Sequence, residues 1–196
     1  LLLVAVFLLA VVLVGGATRL TDSGLSITEW QPVMGVIPPV NEADWNEAFR
    51  KYRLIPEYIV QNRGMSLAEF KVIFWWEWAH RFLARMIGVI FAVPLIYFAL
   101  RGRISRPMWL PLTGLFLLGA AQGGLGWFMV YSGLSERVDV SQYRLSAHLT
   151  LAAIIFASLI WVALGIGRSR ALPRTLGEYA ATALVFLVLF QIAAGG

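Results

Sequence analysis

Two histidines, the only ones in this 196-residue chain, have the type and placement of metal ligands. His80 opens one long apolar run and His148 opens another, and each run is long enough to cross a bilayer. An ionisable side chain is costly inside a membrane, so its presence there indicates a function. Two imidazoles at matching depth on two helices can supply both axial ligands of a haem iron. A hydrogen-bonded structural role is the alternative for each histidine taken alone.

Charged residues surround the histidines at helical spacing. Glu77, His80 and Arg81 fall at i, i+3 and i+4, and therefore lie close together on one side of a helix. Arg81, Arg85 and Arg144 suit haem propionates, because a guanidinium binds a carboxylate through two parallel hydrogen bonds. Extension of these arginines toward lipid phosphates is the alternative. For Glu77 two interpretations stay open, an ion pair with Arg81 and a role in acting on substrate or moving protons.

The elements that position these residues are predicted to be membrane helices. Hydrophobic residues make up 59% of the chain and the mean hydropathy is +0.74, well above that of a soluble domain. The apolar segments are residues 1–14, 82–100, 108–131, 149–166 and 179–194. A span needs about 20 mainly apolar residues, which the middle three segments provide. We therefore expect an all-α, polytopic transmembrane four-helix bundle plus the start of a fifth helix.

The domain organisation follows from these segments. Residues 1–170 are predicted to form an N-terminal four-helix half with a long external loop at 18–70, and residues 177–196 the first helix of a truncated second half. The chain begins inside an apolar run, stops at Gly195-Gly196 just after another, and lacks an initiator methionine, so we interpret it as a fragment. The first and fifth runs both lead into Gly-Gly, a weak internal repeat of the kind that duplicated membrane proteins show.

The basic residues indicate the orientation in the membrane. The net charge is +5, and loops 101–106 and 168–174 each carry three arginines and no acid, whereas loop 132–142 is balanced by Glu136 and Asp139. The positive-inside rule places the two arginine-rich loops, and with them the N-terminus, in the cytoplasm or matrix. Loop 18–70 then faces the other side. The predicted location is the cell inner membrane or the mitochondrial inner membrane, with membrane lipid as a partner and no nucleic acid.

The long loop contains its own structure. Residues 15–24 are predicted to form a turn-rich exit from the first helix. Beyond Pro38-Pro39, apolar residues at i, i+3, i+4 and i+7 predict an amphipathic helix that Pro56 ends. This helix lies either on the membrane surface or against the bundle. The apolar positions are Trp45, Ala48, Phe49 and Tyr52.

The depth of the histidines depends on where their helices begin. Ser66-Leu67-Ala68-Glu69 is a capping box, so the second long helix should start near Leu67. Continuing to Leu100 makes it about 50 Å long, more than the bilayer core, so its first turns should project outside. His80 then lies near the outer interface. If Ser141 caps the fourth long helix, His148 reaches a similar depth from the same side.

Several stretches resemble the haem A synthase family. They are residues 15–26, 30–32, 35–39, 70–81, 122–127 and 146–148. The Glu-X-X-His-Arg stretch at 77–81 and the loop that follows the first helix are the specific parts, and the resemblance covers nearly the whole chain. It is closest to the proteobacterial and mitochondrial branch, because the chain has no cysteine and some other members have a cysteine pair in the first loop. The lack of cysteine also excludes a Cys-X-X-Cys-His haem, a thiolate zinc site and disulfides in this portion.

The resemblance implies eight helices in two similar halves and oxidation of a methyl of haem o to a formyl, giving haem a for cytochrome oxidase. It implies His80 and His148 as iron ligands around the substrate haem o. It also implies Glu77 as the catalytic residue, assisting proton removal or stabilising a cationic intermediate. A haem b would lie in the missing half, so this portion alone should be inactive. Implied partners are an electron donor of unspecified identity, haem o synthase and cytochrome oxidase assembly factors.

Two other functions fit parts of the pattern. A membrane b-type cytochrome, passing electrons through bis-histidine haem, needs histidine pairs but has no use for an acid one turn from a ligand. A transporter would explain glycine-interrupted helices and predicts a protein without haem absorbance.

Overall fold

A computed structural model of the chain describes residues 1–30, 34–136, 141–166 and 176–195. Across these residues the chain is helical, with a 3₁₀ turn at Met34–Val36. The α-helices are α1 (Leu2–Leu20), α2 (Glu42–Tyr52), α3 (Pro56–Val60), α4 (Leu67–Leu100), α5 (Arg106–Glu136), α6 (Gln142–Gly165) and α7 (Leu176–Gly195). Four of them, α1, α4, α5 and α6, are long and apolar enough to cross a membrane. The all-α transmembrane prediction is confirmed, while loop 168–174, which carried part of the topology argument, lies outside the described residues.

The first helix is longer than its apolar run. The prediction of a turn-rich exit is wrong for residues 15–20, because α1 continues to Leu20. The hydroxyl of Thr18 donates to the carbonyl of Val14 (2.9 Å), within the helix and beyond its glycine pair. The helix ends where Asp22 adopts φ 47° and Ser23 N donates back to Thr18 O (2.9 Å). This is the left-handed turn with a 6→1 hydrogen bond that commonly closes a helix.

Helix α4, which carries most of the candidate site, begins where its capping box predicts. The backbone N of Ser66 and its Oγ both bond Glu69 Oε2 (2.8 and 2.7 Å), and Glu69 N donates to Ser66 Oγ (3.3 Å). These bonds satisfy N–H groups that have no partner inside the helix. The helix then runs for 34 residues with Pro94 in its interior.

Helix α2 packs against the first turns of α4. The ring centroids of Trp45 and Phe74 are 4.9 Å apart, and those of Tyr52 and Phe70 are 5.2 Å apart. Packing on the protein therefore accounts for the apolar face of α2. The prediction that Pro56 ends α2 is wrong, because α2 stops at Tyr52 and Pro56 opens α3, a first-turn position that proline favours.

The chain divides into two compact units, each with its own core. The loop unit comprises Ala10–Met86 and Gly123–Ser141. Its buried core is Leu25, Trp45, Tyr52, Ile55, Phe70, Ile73 and Phe74. The helical unit comprises Leu1–Leu9, Ile87–Gln122 and Gln142–Gly196, and its buried core is Val4, Ala5, Leu8, Leu115, Ile155 and Leu159. The predicted division of the sequence between residues 170 and 177 stays a prediction.

Candidate functional site

Glu77 and Arg81 form a buried ion pair on α4 in the loop unit. Glu77 is 2% exposed and Arg81 is 9% exposed. The guanidinium Nη2 of Arg81 donates to Glu77 Oε1 one helical turn away. The other carboxylate oxygen, Oε2, accepts from Ser26 Oγ (2.7 Å) and from Ile27 N (2.7 Å). A buried charge is costly unless it is paired and hydrogen-bonded, and both oxygens of Glu77 meet that condition.

Arg81 binds the same segment through its other donors. Its Nη2 also donates to Ile27 O (2.9 Å), and its Nη1 donates to Glu29 O (3.2 Å). The guanidinium carbon lies 5.8 Å from the ring centroid of Trp30, within the range of a cation–π contact. Glu77 and Arg81 together, which we call the clamp, therefore hold residues 26–30 against α4.

The structure places the side chain of Glu77 in a buried position beside Arg81. The carboxylate is not in solvent, and the ion pair with Arg81 is the arrangement found, while its catalytic role stays a prediction. Sequence reasoning missed Ser26 and Ile27, which contact Glu77 across 51 and 50 residues. Neither residue belongs to a periodic pattern with Glu77, so the sequence carries no signal that pairs them.

His80 lies one turn beyond Glu77, with its ring against α1. Its Nδ1 atom is buried and has no hydrogen-bond partner in the part of the chain that the structure describes. The ring also interacts with the backbone of Val11. A Cβ atom built on Gly15 would stand 2.7 Å from the Cε1 atom of the ring and 3.1 Å from its Nδ1. A histidine that binds a metal through one nitrogen usually donates its other N–H to a protein acceptor. Ligation of a haem iron by His80 stays a prediction.

The remaining predicted residues divide between the two units. Arg85 follows Arg81 by one turn on α4 and is partly buried. Arg144 and His148 lie one turn apart on α6 in the helical unit, also partly buried. There the side-chain Nε2 of Gln122 on α5 donates to the backbone carbonyl of His148 (3.0 Å). The pairing of His80 and His148 on one iron stays a prediction.

These features define a polytopic helical membrane protein with a carboxylate, an imidazole and a guanidinium on one segment of α4. The whole chain, residues 1–196, matches the family described as cytochrome oxidase assembly protein. The chain belongs to this family.

Three similar curated proteins carry the same name. The chain is 56% identical over 195 residues to "Heme A synthase" of Allorhizobium ampelinum, covering 98% of this chain and 54% of that protein. It is 57% identical over 194 residues to "Heme A synthase" of Chelativorans sp., with 98% and 54% covered. It is 56% identical over 190 residues to "Heme A synthase" of Rhizobium rhizogenes, with 96% and 52% covered. The chain therefore spans about half the length of the curated relatives it matches, and no solved structure matches it significantly.

Proposed function

We propose that the full-length protein is a haem A synthase, which oxidises a methyl group of haem o to a formyl group. The similarity to proteins of that name supports the family-level assignment. The structural observation that carries the proposal is a buried carboxylate, Glu77, one turn from a candidate iron ligand, His80. An electron-transfer cytochrome b needs the imidazole but not the acid.

The proposed binding roles follow from the placement of each side chain. His80 and His148 ligate the iron of haem o. Arg85 and Arg144 bind its propionates, because a guanidinium matches a carboxylate in charge and geometry. Arg81 already makes three hydrogen bonds with Glu77, Ile27 and Glu29, so of its five N–H groups only two remain for a propionate.

The proposed role of Glu77 is electrostatic. Its two oxygens are fixed by Arg81, Ser26 and Ile27, so its negative charge is already oriented before substrate arrives. Preorganised charges stabilise charge that develops in a transition state without the cost of reorganisation. Glu77 would thus stabilise positive charge at the methyl group during oxidation.

The proposal also covers the C-terminal half of the protein, its membrane location and its partners. A haem b in the C-terminal half would supply electron transfer when bound. The location would be the cell inner membrane or mitochondrial inner membrane, with the N-terminus on the cytoplasmic or matrix side. An electron donor, haem o synthase and cytochrome oxidase assembly factors would be its partners. Labelling of α2 from the cytoplasmic side would contradict this orientation.

The test is haem chromatography on the full-length protein. Wild type supplied with haem o should accumulate haem a. Glu77→Gln should keep haem o bound but form haem a at least about tenfold more slowly, the scale of losing a positioned catalytic group. Glu47→Gln, on the exposed side of α2, is the matched control. Full activity of Glu77→Gln would refute the catalytic role of Glu77. A wild type that binds haem but forms no haem a would favour a b-type cytochrome, and a haem-free wild type would favour a transporter.

A further inference from the structure

The backbone of α1 at Gly15 and the imidazole of His80 are in unusually close contact. An added Cβ atom would lie 2.7 Å from Cε1, 3.1 Å from Nδ1 and 3.5 Å from Nε2 of the ring. The first of these distances is about 1 Å shorter than an optimal carbon–carbon contact. The next residue, Gly16, is exposed, and a Cβ atom there would meet nothing within 4 Å. The absence of a side chain therefore matters at position 15 and not at position 16.

We infer that Gly15 is a positioning residue for His80, an inference that rests on the proposed role of His80 as a haem ligand. The backbone of α1 is tied to α4 next to this contact, because Thr18 Oγ1 donates to Trp76 O (3.3 Å). A methyl group at position 15 would therefore displace the ring, which can rotate at the end of its side chain, rather than the helix.

A displaced ring is a poor ligand. A metal site needs its ligands within about 0.5 Å and 10–20° of the productive geometry. The ring is held on one side by the Gly15 surface and interacts with the backbone of Val11. Gly15 thus sets the distance at which the imidazole stands from α1, and hence where a ligated iron would lie.

The test compares four variants of the full-length protein: Gly15→Ala, Gly16→Ala, His80→Ala and the double variant Gly15→Ala/His80→Ala. Haem o is titrated into each purified apo-protein, and its affinity and low-spin absorption spectrum are recorded. Gly16→Ala should match wild type, because alanine is a good helix former and has open space there. Gly15→Ala should weaken haem o binding by about tenfold to a hundredfold, the usual effect of disturbing a residue that orients a metal ligand. The low-spin fraction should fall with it.

The double variant separates a positioning role from a general packing role. Once the imidazole is gone, the methyl group at position 15 fills empty space, so it should change the affinity of His80→Ala by less than about twofold. Size-exclusion profiles and thermal unfolding identify any variant that fails to fold.

The results distinguish failure of the positioning role of Gly15 from failure of the ligand role of His80. Wild-type affinity and spectrum in Gly15→Ala, or an equal loss in the His80→Ala background, would overturn the positioning role alone. If wild type binds no haem o, or His80→Ala binds it with an unchanged spectrum, the ligand role of His80 fails and the inference fails with it.

Discussion

Replacing Glu77 by glutamine should release residues 26–30 from α4. The substitution keeps the size of the side chain but removes the charge that faces Arg81, which is only 9% exposed. Breaking a buried ion pair by removing one partner costs about 3–5 kcal/mol. We expect the lower end, about 3 kcal/mol, because Arg81 keeps its bonds to the carbonyls of Ile27 and Glu29.

Hydrogen exchange at the backbone amide of Ile27 measures this release directly. Its N–H donates to Glu77 Oε2 at 2.7 Å, so its hydrogen exchange should follow opening of the clamp. A cost of about 3 kcal/mol corresponds to a roughly 100-fold increase in the opening equilibrium, since about 1.4 kcal/mol is a factor of ten. The assay is hydrogen exchange with mass spectrometry on the full-length protein, in the peptide that contains Ile27.

The control is another ionised carboxylate that does not touch the clamp. Glu47 bonds Arg50 at 2.7 Å on the surface of α2, and this hydrogen bond, together with the charges of Arg50 and Lys51, lowers the pKa of Glu47 from 4.5 to about 2. Glu47→Gln should change exchange at Ile27 by less than about threefold, because at Lys51 it removes only an exposed 3.6 Å contact and leaves the 2.6 Å bond of Lys51 to Glu29 in place. Adding Arg81→Gln to Glu77→Gln should raise exchange at Ile27 further, because the bonds of Arg81 to the carbonyls of Ile27 and Glu29 are then lost as well. Exchange in Glu77→Gln within about threefold of wild type would refute the reasoning.

Two further predictions concern the packing of the loop unit. Gly133→Ala on α5 should destabilise it by about 1–3 kcal/mol, the usual cost of overpacking, because the new Cβ would stand 2.8 Å from Leu25 Cδ2 in the core. Gly124→Ala on the same helix has open space and is its control, and equal unfolding midpoints of the two variants would contradict the prediction. Tyr52→Phe should cost about 1–3 kcal/mol, because the buried carboxylate of Glu57 loses a donor at 2.9 Å. An unchanged thermal unfolding midpoint in Tyr52→Phe would show that this bond contributes nothing to stability.

Local patterns were predictable from the sequence, and contacts between distant segments were not. The start of α4 followed from Ser66 and Glu69, because a capping box involves residues three apart. The ion pair of Glu77 with Arg81 was visible as one of two alternatives, since an i,i+4 spacing brings side chains together on a helix. The bonds from Ser26 to Glu77 depend on how an irregular segment folds back, which no periodicity encodes.

The continuation of α1 through its glycine pair has a different cause. Two consecutive glycines are poor helix formers, so the sequence alone favoured a turn after Val14. Tertiary contacts override that preference. Gly15 lies against the ring of His80, and the hydroxyl of Thr18 bonds both Val14 O and Trp76 O. The close approach that needs a glycine is thus also what keeps these residues helical.

The clamp and the Gly15 contact act on the same turn of α4. Gly15, inside the C-terminal part of α1, contacts His80, while residues 26–30, which follow α1 in the chain, bind Glu77 and Arg81. The two contacts lie within one continuous stretch of sequence, so a shift of α1 along α4 would move the imidazole and the carboxylate together. The proposed iron ligand and the proposed catalytic charge therefore have a common support, and a variant that loosens one should be examined for both haem binding and haem a formation.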